Sequence, residues 1–211
     1  MIFKLENEKG DEWMEQTNTS KRILMVIDLI IFSGLAIGSE VINNNYIEKK
    51  GAIFYLSFSM TLCIIMMIRW GIVGVVIYLI SGFAMMYTRV GFFNAEVIYY
   101  VVANIFFGIP ILIYGKRKRQ AIVDRPLMFL GFIFASYICA CIGKGLALLI
   151  LYGNTTGCLD YLWTTAFTLF INIIVCFMLT KRKELLCDMS NCFEKQGGEN
   201  ERKDSNANQK V

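Results

Sequence analysis

The chain has 211 residues, 56% of them hydrophobic and 18% charged, with a mean hydropathy of +0.52; a soluble domain carries about 45–50% apolar and about 25% charged residues. The charges gather in the first 22 residues, the last 31 and a few short runs between them, so the composition excludes a water-soluble globule. Histidine is absent, which excludes a His triad, a His-ligated metal or haem and a His proton shuttle, and a formal charge of +4 placed at segment ends gives no nucleic-acid surface.

Residues 1–20 read as a polar cytoplasmic segment. Its acidic side chains, Glu6, Glu8, Asp11, Glu12 and Glu15, are unlike the leader of a signal peptide. A bilayer core about 30 Å thick needs about 20 apolar residues per helix. Six segments within a membrane domain of residues 21–185 meet that need: Ile23–Ile42, Ala52–Ile68, Trp70–Thr88, Val97–Tyr114, Leu127–Tyr152 and Tyr161–Thr180. No alternation of about 10-residue strands suggests a β-barrel. The expected fold is an all-α integral membrane protein, a six-transmembrane-helix bundle. Gly71 permits a sharp hairpin between the second and third spans; a single interrupted helix over 52–88 is the alternative.

Lysine and arginine set the orientation. With the N-terminus inside, the inner flanks carry eleven: Lys21, Arg22, Arg69, Lys116, Arg117, Lys118, Arg119, Arg125, Lys181, Arg182 and Lys183. The outer loops carry three, Lys49, Lys50 and Arg89. Both termini are therefore expected in the cytoplasm, with the chain in the plasma membrane. Lys181–Phe193 either extends the last helix, with Leu185, Leu186, Met189 and Phe193 in one stripe, or frays as a basic stop-transfer segment. Residues 186–211 read as a cytoplasmic tail of disordered composition. The seven cysteines include no Cys-x-x-Cys, and neither a metal nor a cofactor is expected.

Charged and amide side chains inside spans carry the functional signal, because each is costly in hydrocarbon. Asp28 lies near the cytoplasmic side, and Asn172 lies in the sixth span. Glu40 and Lys144 each stand 17 residues beyond the inner end of a helix rising through the membrane, which places both about 26 Å up. The same outer layer holds Arg89, Asn94, Tyr99, Asp160 and Trp163, with Asn104 further along the fourth span. Aromatic rings and convergent polar groups at one depth suit a small-molecule pocket, although Tyr and Trp also favour the interfacial belt and a Glu40–Lys144 pair also suits a purely structural role. Gly34-x-x-x-Gly38 offers a surface for close helix approach.

The short hairpin Ile68-Arg69-Trp70-Gly71-Ile72-Val73-Gly74, the segment Tyr99-Tyr100-Val101-Val102-Ala103-Asn104, six spans and a polar outer mouth together resemble the substrate-binding S components of energy-coupling-factor (ECF) transporters. The resemblance covers residues 21–185. It implies a non-enzymatic subunit that captures a vitamin-like micronutrient at the outer face. Import would then depend on a transmembrane coupling subunit and two cytoplasmic ATPase subunits. Ligand contacts would come from Lys144, Glu40, Arg89, Asn94, Tyr99, Asn104, Asp160 and Trp163. Family members dock through small residues near the cytoplasmic side of the first span; here the corresponding spacing is Gly34 and Gly38, farther outward, and Asp28 stands where the family is usually apolar. The chain has no phosphate-binding Gly-x-x-x-x-Gly-Lys loop of its own. Two other readings stand beside this one. A membrane enzyme would need a metal cluster or an activated nucleophile, and a small structural or regulatory membrane protein would need no solute at all.

Overall fold

The structure is a computed structural model and describes residues 2–47, 56–91, 95–115, 119–154, 156–182 and 185–189. Every regular element among the described residues is helical. In chain order they are α1 (Ile2–Ile42), running into a π turn at Asn43–Ile47, α2 (Ser59–Trp70), a 3-10 turn at Gly71–Gly74 and α3 (Val75–Arg89). Then come α4 (Val97–Tyr100), a 3-10 segment at Val102–Gly108, α5 (Ile109–Tyr114), α6 (Arg119–Asp124), α7 (Pro126–Tyr152) and α8 (Thr156–Thr180).

Among the described residues, five stretches are long and apolar enough to cross a membrane: Thr19–Asn45, Ser59–Arg89, Val97–Tyr114, Pro126–Tyr152 and Leu159–Thr180. The outside of the bundle is itself apolar, with Leu112, Ile113, Leu127, Ile150 and Met178 between 65 and 84% exposed. A face of that kind is stable against lipid and not against water. The chain is an all-helical, membrane-embedded protein.

Within Ser59–Arg89 the helix breaks at Gly71, whose φ of +74° and ψ of −139° suit glycine alone. The chain then doubles back. Cys63 Sγ lies 3.4 Å from the carbonyl of Gly74, eleven residues on, where an unbroken helix would separate them by about 16 Å. The hairpin expected at Gly71 therefore forms, and the single interrupted helix over 52–88 does not. Its arms of 12 and 15 residues rise about 18 and 22 Å. α2 starts later than the sequence suggested because Leu56-Ser57-Phe58 is tied to the end of α1. The Leu56 N–H donates to Asn43 Oδ1 at 2.8 Å and the Phe58 N–H to Ser39 Oγ at 3.0 Å. Backbone donors satisfied in this way have no need of a helix.

The fourth apolar stretch is one helix by hydropathy and three pieces in the fold. Its backbone is gripped between two glycines: a Cβ on Gly82 of α3 would lie 2.1 Å from the Tyr100 carbonyl, and one on Gly143 of α7 would lie 2.5 Å from that of Ala103. The narrower 3-10 coil fits this gap, and Asn104 Nδ2 fastens it to α3 by donating to the Tyr78 carbonyl at 2.9 Å.

α1 begins at Ile2, so the polar leader is helical. α8 stops at Thr180, and the Leu185–Met189 segment turns back under the bundle instead of prolonging the helix. Leu186 enters the core and buried Asp188 pairs with buried Arg119 at 3.3 Å. Residues 190–211, most of the expected tail, lie outside the described residues. One end of the bundle gathers Asp28, Arg69, Arg119 and Asp188. The opposite end gathers Glu40, Arg89, Tyr99, Lys144 and Asp160.

Candidate functional site

A cavity of about 350 Å³ opens among the helices at this second end, within the range of about 300–1,000 Å³ usual for small-molecule sites. Six of the residues singled out from the sequence line it: Glu40 from α1, Arg89 from α3, Tyr99 from α4, Asn104 from the 3-10 segment, Lys144 from α7 and Asp160 from α8. The structure does not bring Trp163 into it; that side chain is 82% exposed. At about 100° per residue, Trp163 points about 200° away from Tyr161, which does line the cavity. Asn94 lies outside the described residues.

Lys144 is a buried charge on the cavity wall. Only 4% of the residue is exposed, and a cation at membrane depth costs about 2.5–3.5 kcal/mol on insertion scales. The fold offsets this with a carbonyl and three rings. The ammonium donates to the Tyr99 carbonyl at 2.5 Å and sits 4.4 Å from the Tyr99 ring centroid and 5.8 Å from those of Tyr100 and Tyr161. Such cation–ring contacts reach about 2 kcal/mol when desolvated. Gly143, the residue before it, admits the Ala103 carbonyl of the 3-10 segment that follows Tyr99 and Tyr100. The glycine in α7 and the kinked fourth segment are thus two halves of one device.

Glu40 is equally buried and differently held. Its Oε1 accepts a hydrogen bond from Ser57 Oγ at 2.5 Å and another from Ser59 Oγ. The carboxylate takes hydroxyls and the ammonium takes a carbonyl and ring faces, and the two opposite charges also attract each other across the cavity. Below them, fully buried Asn172 braces the wall. Its Nδ2 donates to the carbonyls of Ser57 at 2.8 Å and Thr168 at 2.7 Å, while its Oδ1 accepts from the backbone and hydroxyl of Thr61. Asp28 has no place in the site, being held at the other end by Arg69 and Trp70.

Sequence reasoning missed part of the lining. Tyr78, Ser81, Gly82 and Met85 line the cavity beside the expected Arg89, the five spaced i, i+3, i+4, i+7 and i+11 along α3, which is one helical face. On α8, Tyr161, Thr165 and Thr168 repeat that spacing and continue to Asn172. Tyr137 on α7 stands two turns from Lys144, its hydroxyl 2.9 Å from Thr165 Oγ1. The face-by-face spacing of hydroxyls would have found them.

The arrangement can bind and orient a solute. Among the described residues no group of three His, Cys, Asp or Glu side chains could hold a metal ion. Gly34 and Gly38 lie apart from the cavity: among the described residues a Cβ at either would meet nothing within 4 Å. Compared with protein families, with characterised proteins and with solved structures, the chain matches none.

Proposed function

We propose that this protein is the solute-binding S component of an ECF-type importer, capturing a micronutrient at the outer membrane face for uptake by partner subunits. The observation that carries the reading is the cavity: six polar side chains from separate segments converge on one enclosed volume at the mouth of an otherwise apolar bundle. A bundle stabilised for packing alone has no use for a buried ammonium and a buried carboxylate beside empty space. The chain crosses the plasma membrane six times, the Gly71 hairpin counting as two, with both termini in the cytoplasm. In that orientation the basic flanks face inward and the cavity faces out. The chain has no nucleotide loop, so ATP hydrolysis belongs to two cytoplasmic ATPases acting through a transmembrane coupling subunit, and the open Gly34–Gly38 surface of α1 is the docking face.

The test is mass spectrometry of small molecules released by heat from the protein purified out of its native membrane, together with identification of co-purifying subunits. A stoichiometric solute and a coupling subunit with ATPases are expected. A protein that releases no solute and purifies without such subunits would be a structural or regulatory bundle.

A further inference from the structure

Resting on the reading of the cavity as a solute site, we propose that its ligand is a small ring-bearing carboxylate, held by its carboxylate on Lys144 and by its ring against Tyr99, Tyr100 and Tyr161. Charge argues for the anion. An ammonium has three N–H donors, and the Tyr99 carbonyl takes one. The ring faces hold the cation in place without neutralising it. The buried carboxylate of Glu40 receives two serine hydroxyls from its own fold and also attracts the ammonium, while Arg89 on the same cavity adds a second positive charge that opposes this attraction and favours an anion. A cationic solute would compete with Lys144 for the same tyrosine faces, whereas an anion completes the ammonium's coordination.

Size and lining argue for the ring. A volume of about 350 Å³ stands at the small end of ligand pockets, enough for a compact solute and too little for a dinucleotide or an acyl chain. Five tyrosines line it, Tyr78, Tyr99, Tyr100, Tyr137 and Tyr161, and flat partners pack on such faces in offset or edge-on contact. The hydroxyls of Ser81 and Thr165 on the walls donate to the Tyr78 and Tyr161 carbonyls of their own helices and so remain as acceptors, which suits a ring carrying hydrogen-bond donors.

The experiment is equilibrium dialysis of the full chain in lipid nanodiscs against four probes: benzoate, benzamide, benzamidinium and acetate, with empty nanodiscs as the blank. Benzoate should bind about tenfold or more tighter than its neutral isostere benzamide, since a charge-assisted contact is at stake. It should also exceed acetate, which lacks the ring, and benzamidinium should be excluded. Lys144→Met should erase the benzoate preference and Lys144→Arg should keep it; Tyr161→Leu should weaken benzoate and benzamide alike. Equal binding of benzoate and benzamide, preference for benzamidinium, no binding of any probe, or a benzoate preference that survives in Lys144→Met would overturn the proposal. Because the four-probe comparison is made on the unmodified chain, a variant that fails to fold does not blunt the test. A cationic solute found in the released material would end this assignment and leave the transport reading intact. A benzoate preference in a protein without coupling partners would do the reverse.

Discussion

Asp28 and Arg69 form a forked contact at the basic end of the bundle: Asp28 Oδ2 accepts from Arg69 Nε at 2.9 Å and from Nη2 at 2.7 Å, and the Trp70 indole donates to the same oxygen at 2.7 Å. The pair ties the middle of α1 to the turn between α2 and α3. Arg69 Nη1 reaches on to the Leu185 carbonyl at 3.4 Å, so one arginine joins three parts of the chain. A carboxylate inside the first span, which stands out in the sequence because charge is costly in hydrocarbon, is in the fold a clasp.

Removing one partner of a buried pair costs about 3–5 kcal/mol. Here the side chains of Arg69 and Asp28 are 11 and 13% exposed, so Asp28→Asn should fall near the lower end of that range. The check is a thermal melt of detergent-purified protein for Asp28→Asn, Arg69→Met and the double variant. The double variant should lose much less than the sum of the singles; strict additivity would mean the two side chains are not coupled.

Asn172 makes a second prediction. It is the sole amide joining Thr61, the Ser57 carbonyl and the Thr168 carbonyl among the described contacts, and each buried group left without its partner costs about 1–3 kcal/mol. Asn172→Leu should therefore destabilise strongly. Because Ser57 also holds Glu40, solute binding should weaken in the folded fraction, whereas a variant at exposed Trp163 should leave both untouched. Melting temperature and dialysis on Asn172→Leu and Trp163→Leu decide it; a binding loss in Trp163→Leu alone would reverse the assignment.

How much of this was legible in the sequence follows from what hydropathy averages over. Span number four and the hairpin at Gly71 were visible because glycine and charge interrupt an apolar run. Glu40 and Lys144 were visible because depth along a helix is arithmetic. The tyrosine walls were not, since Tyr78 and Tyr137 pass in a hydropathy window as ordinary span residues and reveal themselves only as members of one helical face. The kink of the fourth segment was invisible for a different reason. It depends on Gly82 and Gly143, which are distant in sequence and meet across the same backbone. The inward turn of Leu186 likewise needs the pocket at the base of the bundle to exist before the leucine has anywhere to go.

Those glycines give a third prediction with an internal control. A methyl at Gly82 would lie 2.1 Å from a backbone carbonyl, and one at Gly34 would meet nothing within 4 Å. Gly82→Ala must push the 3-10 segment away, at about 1–3 kcal/mol or more. Gly34→Ala should instead gain up to about 1 kcal/mol of helix propensity. Gly34→Leu should leave the isolated protein folded and break co-purification with the coupling subunit. Melting curves of the two alanine variants should move in opposite directions. An intact complex with Gly34→Leu would remove that face of α1 from consideration as a docking surface.

The last prediction concerns the number of crossings, on which the outward-facing cavity depends. Reporter fusions after Lys50, Phe93, Thr155 and Val211, with a further pair after Trp70 and Lys118, sample every connection. With six crossings and the N-terminus inside, alkaline phosphatase should be active after Lys50, Phe93 and Thr155, and green fluorescent protein should fluoresce after Trp70, Lys118 and Val211. If Ser59–Arg89 crossed once, every reporter from Phe93 onward would invert. The run Lys116-Arg117-Lys118-Arg119 would then face outward, against the distribution of basic residues that fixes most topologies. The backbone reversal at Gly71 favours the proposed pair of crossings, in which the basic run stays inside. An inverted pattern after Phe93 would put the Lys144 cavity on the far side of the membrane from the one proposed, leaving it open to a cytoplasmic solute instead of an external one.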